Sequence, residues 1–136
     1  MARRIVVGVD ESAASVAALR WAAARAAEQG AELEVIHAWI YPYVGVRTST
    51  HEPRELMALD AAKVLESAVV DAFGSDGAAV PVHAHLAEGK PADVLLEACG
   101  GADLLVLGAH GGAGEWSSVS HAVLRHSSCP VTIVPG

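Results

Sequence analysis

Leu104-Leu105-Val106-Leu107-Gly108-Ala109-His110-Gly111-Gly112-Ala113-Gly114, continued by Glu115-Trp116-Ser117-Ser118-Val119-Ser120, says most about the architecture of this chain. An apolar strand empties into a glycine-rich turn, and Ser117-Ser118 then opens a helix. This order suits an anion. Glycines at a strand end let the backbone approach a ligand closely, and the N–H groups of the turn and of the next helix converge on phosphate oxygens.

Working outward, the same alternation of strand and helix recurs. Arg4 to Asp10 reads as a continuous apolar strand, and Ser12 to Gln29 as a helix with Ser12 as its cap and Gly30 as its stop. Val16, Leu19, Ala23 and Ala26 recur at three and four residues, so one face of that helix turns inward. Glu32 to Trp39 is the second strand, and this strand–helix–strand succession implies a parallel pair. Ile40 to Thr50, with Pro42 and Gly45, reads as a mobile surface connection. Pro53 suits the first turn of a helix to Phe73, with Met57, Ala61, Val64, Ala68 and Ala72 on one stripe and Gly74-Ser75-Asp76-Gly77 ending it.

Val80 to Ala87 alternates apolar residues with His83 and His85, which predicts a half-exposed strand near a sheet edge. Gly89-Lys90-Pro91 starts a short helix to Cys99. Asp103 to Leu107 is the fourth strand, Ser118 to Ser127 the last helix and Val131 to Pro135 the fifth strand. Five strands alternating with four helices are the sequence form of an α/β, doubly wound, Rossmann-like parallel sheet, here one domain over residues 1–136. Such sheets bind ligands outside the carboxyl ends of their strands where strand order reverses. Asp10, His37 and Gly108 lie at those ends.

Composition narrows the chemistry. With 52% hydrophobic residues, 136 residues suffice for one core, and with 4% aromatics a ligand site built on stacking is disfavoured. Nine basic against sixteen acidic residues leave a net charge of -7 and no basic stripe, which argues against nucleic acid. No segment reaches the roughly 20 apolar residues of a membrane helix, and Arg3-Arg4 with Ile5 to Val9 lacks a signal-peptide layout, so a cytoplasmic protein with no membrane partner is expected. Cys99 and Cys129 stand singly in apolar segments, as buried free thiols in a reducing compartment.

Asp10 closes the first strand, where its carboxylate can accept hydrogen bonds from an adenine amino group or a ribose hydroxyl, or serve as a phospho-acceptor. It can equally be structural, since an acid ahead of a helix favours that helix by roughly 0.3–1 kcal/mol. The glycine turn lacks the Gly-Lys-Ser/Thr ending of a P-loop, and Gly8-Val9-Asp10-Glu11-Ser12 lacks G-x-G-x-x-G. His83-x-His85 places two imidazoles on one strand face without a third ligand, and His121 and His126 do not share a helix face. No metal site is expected. With neither H-E-x-x-H nor G-x-S-x-G, no catalytic residue is expected either.

Several short motifs together carry a resemblance. Ile5-Val6-Val7-Gly8-Val9-Asp10-Glu11-Ser12, Ala18-Leu19-Arg20-Trp21-Ala22, Val35-Ile36-His37-Ala38-Trp39, Glu88-Gly89-Lys90-Pro91-Ala92, Ala102-Asp103-Leu104-Leu105-Val106-Leu107-Gly108 and Cys129-Pro130-Val131 resemble, in order and spacing, the universal stress protein family. The resemblance covers essentially the whole chain. Nucleotide-binding members carry Gly, two residues, Gly, nine residues, then Gly followed by Ser or Thr. Gly108 and Gly111 match the first half, Ser118-Val119-Ser120 resembles the family's Ser-Val-Ser, and Ser117 stands where the last glycine belongs. Residues 112–117 separate Gly111 from Ser118, four fewer than the family pattern has.

The resemblance implies that Asp10 and the backbone at Ala38 hold adenine and ribose, with Gly108, Gly111 and Ser118 near the phosphates; Ser117 and Val119 are further candidates for the nucleotide site, and His110 is either a phosphate donor or a surface histidine without a ligand. The shortened loop, the loss of glycine at Ser117 and the acid at Glu115 point to weakened ATP binding, to a shorter nucleotide such as AMP, or to none. The fifth strand is apolar on both faces at a sheet edge, and the resemblance implies a homodimer through Val131 to Val134. The expected function is therefore a stress-response or signalling protein with weakened adenine-nucleotide binding. A nucleotide-free dimeric interaction module is the alternative, and a slow ATPase or autophosphorylating protein the distant one.

Overall fold

The computed structural model describes residues 3–41, 53–109 and 115–135, with the main chain alone for 115–117. Its elements are β1 (Arg3–Gly8), α1 (Ala13–Gln29), β2 (Ala31–Trp39), α2 (Arg54–Phe73), β3 (Val82–Glu88), α3 (Pro91–Cys99), β4 (Leu104–Ala109), α4 (Glu115–His126) and β5 (Val131–Pro135). All strand pairings are parallel, in the order β3-β2-β1-β4-β5. The expected doubly wound sheet is thus the observed one, with β3 and β5 at its edges.

Alternation along β1 sends side chains to two cores. Ile5, Val7 and Val9 pack with Leu19 and Ala22 of α1, Leu33 and Val35 of β2 and Leu65 of α2. Val6 faces the other way, into Ile36, Leu95 of α3, Leu105, Leu107 and Val123 of α4. Helices therefore cover both faces. On α2 the buried residues are Ala61, Leu65 and Ala68, while Val64 of the expected stripe is half-buried.

Local chemistry explains the helix ends. Ser12 caps α1 by accepting the Ser15 N–H, and Gly30 stops it in the left-handed region at φ 64°, where a Cβ is costly. Pro53 sits one position earlier than expected, as the residue before α2, with its fixed φ of -63° in an extended conformation. The start of β1 is fastened by Arg4. Its guanidinium donates to Glu34 Oε1 at 2.7 Å and to the carbonyls of Ala98 and Gly100 at 3.2 and 3.1 Å, while its N–H donates to Asp103 Oδ2 at 2.7 Å.

β3 is the edge strand its alternation predicts, yet Ala84 and Leu86 are exposed as well as His83 and His85, so the expected covered face is absent along its middle. His83 Nε2 meets Glu32 Oε1 of β2 at 2.9 Å, a cross-strand pair that accounts for it. Among the described residues, no cluster of three or more His, Cys, Asp or Glu side chains is arranged to hold a metal ion.

Two boundaries near the glycine turn differ from the sequence reading. β4 continues through Gly108 and Ala109, which pair with Val134 and Pro135 of β5. α4 begins at Glu115 rather than at the serines, which places Ser117 and Ser118 inside its first turn. An acid at a helix start is favoured by the macrodipole, so Glu115 can open the helix without a serine cap. Residues 110–114, and the connection expected over residues 42–50, lie outside the described residues.

Candidate functional site

The sheet order reverses between β1 and β4: from β1 the chain winds outward through β2 and β3, then returns to place β4 on the other side. The crevice outside their carboxyl ends is where a doubly wound sheet offers a binding site. Asp10 stands two residues beyond β1 at its mouth.

The Asp10 carboxylate is held by the start of α1. Its Oδ1 accepts from the Ser12 N–H at 2.8 Å, the Ser12 hydroxyl at 2.5 Å and the Ser15 hydroxyl at 2.8 Å. In return, the Asp10 N–H donates to Ser15 Oγ at 2.8 Å. Ser15 is fully buried, and both its donor and its acceptor capacity are used on Asp10. Hydrogen bonds to an ionised carboxylate are the strong ones, so one oxygen of Asp10 is fixed by the fold. Neighbouring β2 supports the same turn. Val9 N donates to the Ile36 carbonyl at 2.9 Å, and His37 Nδ1 donates to the Val9 carbonyl at 2.9 Å.

Beside Asp10, between α1 and α2, opens a cleft of about 580 Å³ whose lining includes Glu11, Ser12, Asp60, Lys63 and Asp71. Four carboxylates face one ammonium there. Such a surface accepts hydroxyl and amino donors but disfavours phosphate, since like charges at 4 Å cost about 1 kcal/mol in water and about 4 at a surface-like dielectric.

The remaining expected residues fall in different elements. Ala38 is in β2 opposite Ala87, and Gly108 is in β4. A Cβ at Gly108 would lie 2.5 Å from the Ala14 carbonyl oxygen and 2.6 Å from its carbon, so the first turn of α1 rests directly on this glycine. Ser118 is exposed on α4, and Val119 is buried in the second core, where it anchors that helix. Ser117 lies in α4 with its side chain outside the description, and His110 and Gly111 lie outside the described residues altogether. The sequence reading missed Ser15, Asp60, Lys63 and Asp71. The spacing Asp10-x-Ser12-x-x-Ser15 was the available signal for the first, because a hydroxyl one turn into a helix can reach back to an acid before its cap.

Comparison with known proteins agrees with this architecture. A family profile described as the universal stress protein family matches residues 1–135. The universal stress protein Rv2623 of Mycobacterium tuberculosis (strain H37Rv) is 32% identical over 145 residues, covering 96% of this chain and 46% of the relative. The chain spans about half the length of the curated relatives it matches. Among solved structures, a universal stress protein in complex with cAMP is 26% identical with a TM-score of 0.74, covering 98% of this chain and 97% of that one. The universal stress protein from Archaeoglobus fulgidus in complex with dAMP is 25% identical with a TM-score of 0.73, covering 97% of each. On the profile match, the shared fold and the strand-end position of Asp10, the chain belongs to the universal stress protein family.

Proposed function

We propose that this chain binds an adenine nucleotide in the crevice over β1 and β4 and acts as a stress-response or signalling binder rather than as an enzyme. The observation that carries the reading is the Asp10 carboxylate, held in place by Ser12 and Ser15 before any ligand arrives. Preorganisation of this kind removes an ordering cost from binding. The nucleoside is assigned to Asp10 and the Ala38 backbone, with its hydroxyl and amino donors toward the acidic cleft. The phosphate is assigned to the backbone around Gly108, Gly111 and Ser117-Ser118, with His110 and the α4 start beside it. Similarity to relatives crystallised with cAMP and dAMP supports an adenine mononucleotide. The short segment 110–114 between β4 and α4 favours AMP over ATP.

A thermal melt with millimolar AMP and with ATP, joined to mass spectrometry of the gently purified protein, tests this. A ligand at 100 times its dissociation constant adds about 2.7 kcal/mol, which at this chain length is roughly 8–10 °C. AMP is expected to shift the melt more than ATP. If neither nucleotide moves it and none co-purifies, the chain is a nucleotide-free interaction module, a reading favoured by the packing of Gly108 against Ala14.

In either case the proposed assembly is a homodimer joined along β5, a sheet-edge strand whose Val131, Thr132 and Ile133 are half-buried in the single chain. Replacing Ile133 by Asp should leave monomers, and a dimer unchanged by light scattering would refute that interface. A cytoplasmic setting is proposed with it, since two single cysteines make no disulfide framework of the kind secreted proteins carry.

A further inference from the structure

Cys99 closes α3 and Cys129 precedes β5, so β4 and α4 separate two sulfurs that the fold brings together. Ser127 links them. Its hydroxyl oxygen is 3.3 Å from Cys99 Sγ and 3.8 Å from Cys129 Sγ, so both sulfurs lie against one side-chain oxygen. That hydroxyl is itself oriented, donating to the Cys129 carbonyl at 2.6 Å and accepting the Cys129 N–H at 3.1 Å. Cys99 is 1% exposed, whereas Cys129 is partly open to solvent.

We propose that Cys99 and Cys129 form an oxidant-driven intramolecular disulfide, with Cys129 as the thiol oxidised first and Cys99 as the resolving thiol. The co-reactant is a hydroperoxide. Cys129 loses its proton, and its sulfur attacks one peroxide oxygen, breaking the O–O bond to give a sulfenic acid and water or an alcohol. Cys99 Sγ then attacks the sulfenic sulfur; the S–S bond forms, the S–O bond breaks, and the oxygen leaves as water with the Cys99 proton. Two thiols are oxidised by two electrons, and the hydroperoxide is reduced by two.

The surroundings make this a high-threshold device. Burial, and then the hydrogen bond with Cys99, push the Cys129 thiol from 9.0 up to about 11. At neutral pH this thiol is overwhelmingly protonated, so the pair stays reduced under mild conditions and its oxidation accelerates about tenfold per pH unit. Closing a loop of about 30 residues ties the end of α3 to the start of the edge strand and restricts the unfolded chain.

The test is intact-mass and peptide analysis of the whole protein after hydrogen peroxide treatment at pH 7 and pH 8. The expected product is a monomer lighter by about 2 Da, formed about ten times faster at the higher pH. Trypsin cuts after Lys63 and Arg125 but not at Lys90-Pro91, so Cys99 and Cys129 fall in separate peptides that should remain joined without reductant. The oxidised protein should melt roughly 5–10 °C higher than the reduced one. In Cys99→Ser, Cys129 should stop at a sulfenic acid that dimedone traps. Separate peptides with sulfinic acid on Cys129, or disulfides joining two chains, would overturn the proposal on the wild-type protein alone, whatever the stability of the variants.

Discussion

Gly108→Ala should lower the stability by about 3 kcal/mol and the melting temperature by roughly 10 °C, among the largest effects expected from one added methyl group. The new Cβ would lie 2.5 Å from the Ala14 oxygen, 2.6 Å from its carbonyl carbon and 2.8 Å from its Cβ. Two of these three atoms are main chain, so rotamer changes cannot relieve the overlap and α1 must lift off the sheet. Ala14→Gly in the same protein removes only the mildest of the three contacts and should restore little. A Gly108→Ala protein that melts with the wild type but no longer responds to AMP would instead assign this glycine to phosphate approach.

Asp10→Ala is the second large effect, and it acts in two ways. Without ligand it leaves the fully buried Ser15 hydroxyl with no acceptor at Asp10, which costs about 1–3 kcal/mol. With ligand it should also erase the whole nucleotide-dependent rise in melting temperature. Asp10→Asn separates the two. Its amide oxygen can still accept from Ser12 and Ser15, so the fold should be largely kept, while its amide nitrogen turns a donor toward ligand donors and binding should fall at least tenfold by calorimetric titration, a loss of about 1.4 kcal/mol. Unaltered AMP affinity in Asp10→Asn would remove this carboxylate from the site.

How far the chain could be read in advance depends on where short-range chemistry suffices. Ser12 and Gly30 bound α1 as expected because a cap and a left-handed stop are local properties. The polar histidines from His83 marked an edge strand, but the expected covered face did not appear, because what packs on Ala84 and Leu86 is decided by distant segments. The end of β4 was misread because Gly108 resembles a turn residue, whereas its glycine is demanded by Ala14, a contact between segments far apart in sequence. The start of α4 was misplaced because Ser117-Ser118 resembles a cap, although the helix opens at Glu115. Within the candidate site, Asp10 was legible from its position at a strand end. Asp60, Lys63 and Asp71 were not, because nothing local in α2 says which helix will face it across a cleft.

The strand order has a consequence for when the crevice exists. β1, β2 and β3 with α1 and α2 form one continuous half of the chain, and β4, α4 and β5 belong to the other. The halves join along β1 and β4, where Val6 lies opposite Leu105. That pairing spans more sequence than any other strand pairing in the sheet, and its entropic cost must be met before it contributes. Asp10 and Gly108 stand on opposite sides of this seam. A ligand spanning them therefore senses docking of the two halves, and any opening that detaches β4 from β1 dismantles the crevice while leaving the Asp10–Ser12–Ser15 cluster intact within its own half.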